Sequence, residues 1–314
     1  MRKVVFIDTV HDVLRKKLIE HQYICVDATR FDANLVKKEI ESAFGIVIRS
    51  RLALDESFLR NAKNLSFIAR SGSGTENVDL DYCKQKGIQV FSSPEGNKNA
   101  VAEHALGFTL SLLNNIHRSN EEIKQGFWDR KTNTGKELYA CTLGVIGCGN
   151  NGLAFAQKMR DLGASVLVYD KYKTIEEPGI IQVPLQGLYS EVDILSFHVP
   201  QNEETIGMGN YMFFSKFTKP LIVLNISRGK VIETKGLVRA MKEKKVLKAA
   251  LDVLEYETKS FERFFEKPLP EDFVFLKSNP NVILTPHIAG WTTQSYYELS
   301  NVLAQKIIKA FNKP

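Results

Sequence analysis

The fold of this 314-residue chain follows from residues 143–170, LGVIGCGNNGLAFAQKMRDLGASVLVYD. A short apolar run meets a glycine-rich turn, and a helical pattern then leads into a second apolar run that ends on an acid. Gly147 permits a sharp turn, Gly149 lets the backbone approach a pyrophosphate, and Gly152 lets helix and strand pack closely. This order of strand, turn, helix, strand and acid predicts a dinucleotide-binding βαβ unit.

The acid at the end of the second apolar run selects the cofactor. Asp170 lies where a carboxylate accepts hydrogen bonds from the adenosine ribose, and the helix start offers N–H groups to the phosphates. Because a carboxylate there repels the 2′-phosphate of NADP, the sequence predicts NAD as the cofactor. The neighbouring cations Lys171 and Lys173 leave some use of NADP open.

Length and composition bound the class of protein. With 44% hydrophobic and 25% charged residues, the chain fits an ordinary soluble protein of two domains. The net charge of +6 comes from 42 basic and 36 acidic side chains that are dispersed along the sequence, so we expect no nucleic-acid partner. No apolar run is long enough for a signal peptide or a membrane span, which predicts a cytoplasmic protein without membrane contact. The four cysteines lack metal-ligand spacing, and no metal site is predicted.

Apolar runs and helical patterns alternate on both sides of the glycine-rich turn. This alternation predicts an α/β protein with parallel sheets and a small α/β domain ahead of the turn. Residues 99–125 predict one long apolar helix, which we expect to be buried between domains or in a homodimer interface. Residues 293–311 predict a last helix long enough to return to the first domain.

Three residues that follow predicted strands make a chemical set, since ligands bind beyond the carboxyl ends of the strands in open parallel sheets. Arg228 can bind a carboxylate as a planar fork. His287 can take up and return a hydroxyl proton, and Glu257 can orient the imidazole and stabilise its cation. Together they predict hydride transfer with a 2-hydroxy acid, for which the nicotinamide supplies the redox chemistry. Taken singly, each residue also fits a structural hydrogen-bonding or surface role.

The chain resembles the D-isomer-specific 2-hydroxyacid dehydrogenases over essentially its whole length. The matching motifs are VIGCG at 145–149, HVP at 198–200, NISRG at 225–229, ALDV at 250–253 and TPHIAG at 285–290. The resemblance implies two doubly wound parallel-sheet domains: a Rossmann NAD-binding domain at 98–290, inserted into a flavodoxin-like substrate-binding domain at 1–97 and 291–314. It also implies that Arg228, Glu257 and His287 are catalytic and that dimers form through the nucleotide domain.

The resemblance further implies which residues contact the two ligands. The implied cofactor contacts are Gly147, Gly149, Asn150, Asn151, Gly152, Asp170, His198, Val199, Pro200, Thr205, Ile226, Ser227, Asp252 and Gly290. The implied substrate contacts are Arg49, Ser50, Arg51, Ser73, Gly74, Asn97 and Arg130, and the backbone of 71–74 would bind the carboxylate. Asn151 departs from the apolar residue common before the third glycine, and the segment 258–281 is longer than usual.

Within the family, the chain is most similar to the phosphoglycerate dehydrogenases. This predicts oxidation of 3-phospho-D-glycerate to 3-phosphohydroxypyruvate in serine biosynthesis, because several cationic groups favour a phosphorylated substrate. The chain ends at Pro314 without a C-terminal regulatory domain, so we expect no serine feedback through such a domain. Two alternatives stay open: a glyoxylate or hydroxypyruvate reductase, and a non-catalytic NAD(H)-sensing binding protein of the same fold.

Overall fold

The computed structural model describes residues 2–257 and 268–311, in which strands and helices alternate. In chain order the elements are β1 (Arg2–Phe6), α1 (Asp12–Glu20), β2 (Tyr23–Asp27), α2 (Ala33–Ile40), β3 (Gly45–Ile48), α3 (Glu56–Leu59), β4 (Phe67–Arg70), α4 (Leu80–Gln85), β5 (Gln89–Ser92), α5 (Lys98–Leu113), α6 (Ile116–Lys124), β6 (Thr142–Ile146), α7 (Asn150–Asp161), β7 (Ser165–Tyr169), β8 (Ile180–Gln182), β9 (Ile194–Phe197), α8 (Tyr211–Phe214), β10 (Leu221–Asn225), α9 (Thr234–Lys242), β11 (Val246–Leu251), α10 (Glu271–Ser278), β12 (Val282–Leu284) and α11 (Thr293–Phe311). Residues 258–267, part of the longer segment noted in the sequence, lie outside the described residues.

Local chemistry explains where several helices begin. Asp32, Asp55 and Asp79 precede α2, α3 and α4, and each carboxylate accepts a backbone N–H of the first helical turn. A side chain that satisfies these otherwise unpaired N–H groups stabilises the helix start by about 1 kcal/mol. These aspartates therefore set the boundaries of short helices that the apolar pattern alone defines poorly.

The chain divides into two compact units. Among the described residues, the first unit contains 2–98 and 291–311, and the second contains 99–257 and 268–290. The C-terminal helix α11 belongs to the first unit.

The first unit is built on a parallel sheet with strand order β2-β1-β3-β4-β5. This is the flavodoxin-like order. Successive residues of β1 point to opposite faces: Val5 packs with α2 residues on one side, whereas Val4 and Phe6 pack with Leu303 and Ile307 of α11 on the other. Both faces of the sheet are thus covered, as a parallel sheet requires.

The second unit is built on a parallel sheet with strand order β12-β11-β10-β9-β6-β7-β8. Counted from β6, this is the Rossmann order followed by one additional strand. The order reverses between β6 and β9, and ligands of such sheets bind in the crevice at the carboxyl ends of the strands beside that point. Residues 147–152 follow β6 and His198 follows β9, so both lie at this position.

The observed sheets confirm the predicted fold class, a Rossmann domain inserted into a flavodoxin-like one. Strand β8 was not predicted. No described helix is both long and apolar enough to cross a bilayer.

The prediction of a single helix over residues 99–125 is wrong, because the helix breaks between α5 and α6. Asn115 takes a left-handed conformation there, with φ of 55°. The Lys248 ammonium holds this break by donating to the Leu112 carbonyl and to Asn115 Oδ1, both at 2.6 Å. Asparagine tolerates this conformation better than most residues, and Lys248 satisfies a carbonyl that the helix end leaves unpaired.

Candidate active site

Three glycines shape the turn after β6. Gly147 has φ of +88°, a conformation that suits glycine. A side chain at Gly152 would place its Cβ 2.0 Å from the Gly147 carbonyl oxygen, so only glycine lets α7 start this close to the turn. At Gly149 a Cβ would meet nothing within 4 Å. The backbone of Gly149, at the start of α7, is therefore open on the side where a Cβ would lie, which lets a phosphate group approach the helix N-terminus.

Asp170 is held at the end of β7 by backbone hydrogen bonds. Its Oδ2 accepts the Cys148 N–H at 2.8 Å, and its Oδ1 accepts the N–H groups of Tyr172 and Lys173 at 2.9 and 3.0 Å. The carboxylate thus ties the glycine turn to the next strand. Burial raises the pKa of the Cys148 thiol to about 11, so the thiol stays neutral within the turn.

The cation next to Asp170 is engaged elsewhere. Lys171 Nζ lies 2.6 Å from Glu204 Oε1, and the Tyr172 hydroxyl donates to Glu204 Oε2 at 2.6 Å. The ion pair thus directs the Lys171 ammonium to Glu204.

His198 lies beside the glycine turn, with its Nε2 2.8 Å from the Ser196 hydroxyl and its ring against Phe155. Burial lowers the pKa of His198 to about 3, so the ring is neutral at physiological pH. Its Nδ1, like Asn151 Oδ1 in the first turn of α7, is buried without a hydrogen-bond partner in the part of the chain that the structure describes. Two unsatisfied buried polar atoms at the glycine turn are consistent with a site for a polar cofactor.

The loop after His198 is fixed by its own hydrogen bonds. Thr205 is buried, and its hydroxyl donates to the Pro200 carbonyl at 2.5 Å while the Asn202 N–H donates to it at 3.0 Å. Val199 and Pro200 are therefore held at the carboxyl end of β9, where the predicted cofactor contacts lie.

Glu257 and His287 form a hydrogen-bonded pair. Glu257 Oε2 lies 2.8 Å from His287 Nδ1, and both side chains are largely buried. The Leu254 N–H donates to the other carboxylate oxygen, Oε1, which fixes the rotamer of Glu257. Since a carboxylate only accepts, Nδ1 carries a proton and the neutral ring has its lone pair on Nε2.

Arg228 follows β10 in a loop that the neighbouring segment approaches closely. Asn225 organises this loop: its Oδ1 accepts from the Ser227 N–H and hydroxyl, and its Nδ2 donates to the Arg228 carbonyl. A Cβ at Gly229 would lie 1.9 Å from the Leu254 carbonyl oxygen. Glycine at this position thus brings the Arg228 loop against the segment that carries Glu257.

The remaining predicted cofactor contacts of the second unit occupy neighbouring strand ends. Ile226 and Ser227 are buried after β10, and Gly290 follows the turn that carries His287. The Asp252 carboxylate, predicted to contact the cofactor, accepts hydrogen bonds from Thr285, Ile288 and Ala289. In this structure it therefore holds the His287 turn. Arg130 lies exposed in the loop after α6.

In the first unit, Asp8 organises the predicted substrate loop after β3. Its Oδ2 accepts the N–H groups of Arg49, Ser50 and Arg51 at 2.6, 3.1 and 3.3 Å. The Arg51 guanidinium donates to the carbonyls of residues 28, 29 and 31. Arg51 is thus engaged with the segment after β2, and its contact with substrate stays a prediction.

Arg49 extends from the same loop towards an aromatic ring. Its guanidinium lies 4.3 Å from the centroid of Trp291, within the range of a cation–π contact. Ser73 and Asn97, predicted separately, are hydrogen-bonded at 2.8 Å. Gly74 follows Ser73 in the loop after β4.

The sequence reasoning missed Asp8, Asn225 and Trp291. Asp8 follows β1 and Asn225 ends β10, so the strand-end rule that located Arg228 also applies to both. Trp291 has no local signal, because its role depends on a contact with a residue far away in sequence.

Comparisons with known proteins identify the family of this chain. Residues 106–289 match the family described as D-isomer specific 2-hydroxyacid dehydrogenase, NAD binding domain. The chain is 35% identical over 274 residues to D-3-phosphoglycerate dehydrogenase of Archaeoglobus fulgidus, covering 86% of this chain and 50% of that protein. It is 32% identical over 304 residues to hydroxypyruvate reductase of Thermotoga maritima, covering 96% of both. The structure of D-lactate dehydrogenase from Aquifex aeolicus, complexed with NAD and lactic acid, matches with a TM-score of 0.82 at 30% identity, over 99% of this chain and 95% of that one.

The chain spans about half the length of several of the relatives it matches. The match to an NAD-binding domain confirms the resemblance predicted from the motifs, and it confirms NAD as the predicted cofactor.

Proposed function

Because the chain belongs to the D-isomer-specific 2-hydroxyacid dehydrogenase family, we propose that it is an NAD-dependent enzyme that interconverts a small 2-hydroxy acid and its 2-oxo acid. The observation that carries this proposal is the Glu257–His287 pair, with 2.8 Å between carboxylate and imidazole. A buried imidazole whose tautomer is set by a carboxylate is the arrangement that general acid–base catalysis uses.

The cofactor would be held by the glycine turn and the strand ends beside it. The N–H groups at the start of α7 would bind the pyrophosphate, and Asp170 would bind the ribose. Bound NAD supplies the hydride chemistry. The chain's own task is to position the groups and to exclude a 2′-phosphate by the charge of Asp170.

His287 would move the proton. In the oxidation direction, Nε2 takes the hydroxyl proton of the substrate, and the Glu257 carboxylate stabilises the resulting cation. In the reduction direction, the same nitrogen returns the proton to the carbonyl oxygen. Arg228 would bind the substrate carboxylate, which planar guanidinium groups recognise with two parallel hydrogen bonds.

For the substrate we propose 3-phosphoglycerate and its oxo partner, with hydroxypyruvate or glyoxylate reduction as the alternative. The phosphorylated substrate is supported by the Arg49 guanidinium beside Trp291 and by the similarity to a phosphoglycerate dehydrogenase. The alternative is supported by hydroxypyruvate reductase, which the chain matches over 96% of both lengths. A cytoplasmic location and a role in serine biosynthesis stay predictions.

The decisive assay measures initial rates on 3-phosphohydroxypyruvate, hydroxypyruvate, glyoxylate and pyruvate. Each 2-oxo acid is assayed once with NADH and once with NADPH. We expect the highest kcat/KM on 3-phosphohydroxypyruvate with NADH. A higher value on hydroxypyruvate would select the reductase alternative. NADH binding without turnover of any 2-oxo acid would reject catalysis and favour a nucleotide-sensing protein.

We also propose that the protein is a homodimer joined through the second unit. Apolar side chains of α6 and the following loop are exposed; these are Ile116, Ile123, Phe127, Trp128 and Tyr139. Several exposed apolar side chains on one segment are a common mark of an interface, and a second copy of this chain presents the same segment in return. Trp128→Glu should convert the dimer to a monomer in light scattering at micromolar concentration. Tyr172→Glu, which alters an exposed aromatic outside α6 and the loop after it, is the matched control, and a wild-type monomer would refute the proposal.

A further inference from the structure

The turn that carries His287 has an unfavourable backbone conformation. His287 has φ of 54°, in the left-handed region that non-glycine residues rarely occupy. Such a conformation persists where the surrounding structure over-determines it. The hydrogen bonds that hold this turn therefore determine the position of the imidazole.

Asp252, at the end of β11, provides those bonds. Its carbonyl accepts the His287 N–H at 2.7 Å. Its carboxylate accepts the Ile288 and Ala289 N–H groups at 2.8 and 2.9 Å and the Thr285 hydroxyl at 2.5 Å. The carboxylate is almost fully buried, so any group that fixes its orientation also fixes the turn.

His104, on α5, contacts Thr285 and approaches Asp252. Its Nε2 lies 3.2 Å from the Thr285 hydroxyl oxygen and 3.8 Å from Asp252 Oδ1. Thr285 has one hydroxyl proton and donates it to Asp252, so its oxygen can only accept from His104. Nε2 therefore carries a proton. His104 donates to the Thr285 hydroxyl, and this hydroxyl donates to Asp252. The imidazole is half-buried, with its ring against Phe108.

We propose that His104 is a positioning residue for His287. This inference rests on the proposed function, because it assigns His104 an effect on the proton transfer carried out by His287. The Nε2–H bond orients the Thr285 hydroxyl towards Asp252 and keeps the carboxylate directed at the turn. His104 does not itself touch the substrate or the cofactor in this role.

The chain offers variants that separate the hydrogen bond from the packing of the ring. His104→Phe keeps a flat ring and removes the N–H. His104→Gln places an amide N–H close to where Nε2 lies, which restores the donor. His117 on α6 is the matched control, since its Nε2 contacts the Pro280 carbonyl at 2.8 Å and not the turn.

We expect His104→Phe to lower kcat by roughly two- to tenfold, the effect of one lost neutral hydrogen bond, with KM for NADH unchanged. Amide exchange at 288–289, followed by mass spectrometry, should accelerate by a similar factor. His104→Gln should recover most of both effects, and His117→Phe should alter neither. Melting temperatures of all variants verify that each is folded.

Several outcomes would overturn the inference. They are an unchanged kcat in His104→Phe, faster exchange without a change in kcat, and a loss that His104→Gln does not recover. If the wild type turns over no 2-oxo acid, the proposed function fails, whereas the exchange rates still decide the inference. Equal exchange in wild type and His104→Phe would then reject it, and faster exchange that His104→Gln reverses would support it.

Discussion

Replacing Glu257 by glutamine tests the electrostatic part of the proposed mechanism. The amide keeps the shape of the carboxylate and can still accept the His287 Nδ1–H across the 2.8 Å contact. The negative charge is lost, and the amide NH2 replaces the oxygen that accepts the Leu254 N–H, so that hydrogen bond is lost as well. That charge matters once His287 has taken the substrate proton, because the imidazolium then faces a carboxylate in a largely buried setting.

The size of the effect follows from this geometry. A hydrogen bond between two charged groups contributes about 1.5–3 kcal/mol, compared with about 1 kcal/mol for a neutral one. Because the ion pair forms only as the proton moves, its loss raises the barrier and leaves substrate binding largely intact. The difference of about 0.5–2 kcal/mol predicts that Glu257→Gln lowers kcat by roughly 2- to 30-fold, since about 1.4 kcal/mol corresponds to a factor of ten.

The assay is steady-state turnover with NADH and the best 2-oxo acid, together with the dissociation constant for NADH. Glu255→Gln is the matched control: Glu255 lies in the same segment, but its Oε2 accepts the Thr234 N–H at 2.8 Å. We expect that control to keep kcat within about twofold, because it retains the charge beside His287. A Glu257→Gln enzyme with wild-type kcat, or with a loss confined to KM, would refute the reasoning.

Three further predictions concern substrate, cofactor and stability. Arg49→Gln should raise KM for 3-phosphohydroxypyruvate by roughly 10- to 100-fold, as expected for a lost contact to phosphate, and leave hydroxypyruvate nearly unaffected; equal effects on both would argue against a phosphate contact. Glu204→Gln releases Lys171 and should raise the NADPH-to-NADH ratio of kcat/KM by roughly two- to fivefold, whereas an unchanged ratio would mean that the pair does not affect cofactor choice. Burial lowers the pKa of His198 to about 3, whereas the unfolded chain has a histidine pKa of about 6.5. The unfolded chain therefore takes up a proton that the folded protein does not, so the free energy of unfolding is highest above pH 6.5 and decreases as pH falls towards 3. From pH 7.5 to pH 5, urea unfolding of the wild type should lose about 2 kcal/mol more than His198→Gln, and equal losses would show that the imidazole stays solvated.

The proposed catalytic residues follow neighbouring strands of the second unit. Strand order brings the ends of β10, β11 and β12 side by side, and Gly229 permits close approach of the loops that follow the first two. Arg228 and Glu257 thereby come from segments in contact, and Glu257 then binds His287. A larger side chain at Gly229 should disturb this arrangement even though the residue has no chemistry of its own.

Much of the fold and the central pair could be predicted from sequence. The glycines at 147, 149 and 152 carry a pattern that reports a strand–turn–helix unit within a few residues. Alternating apolar runs give the parallel sheets, and the rule that ligands bind beyond strand ends locates Arg228 and His287. These signals are local or follow from chain topology, so a single sequence contains them.

Only the tertiary structure decided which partners the polar side chains have. Arg51 looks like a free cation in sequence, yet it binds carbonyls of the segment after β2. Trp291 reaches Arg49 across more than two hundred residues, and His104 reaches Thr285 across 181 residues. Such contacts depend on how packed elements are placed in space, and short-range patterns carry no record of that placement. Sequence thus determined the elements and the chemistry available at their ends, whereas packing determined which of those groups are engaged and which can meet a ligand.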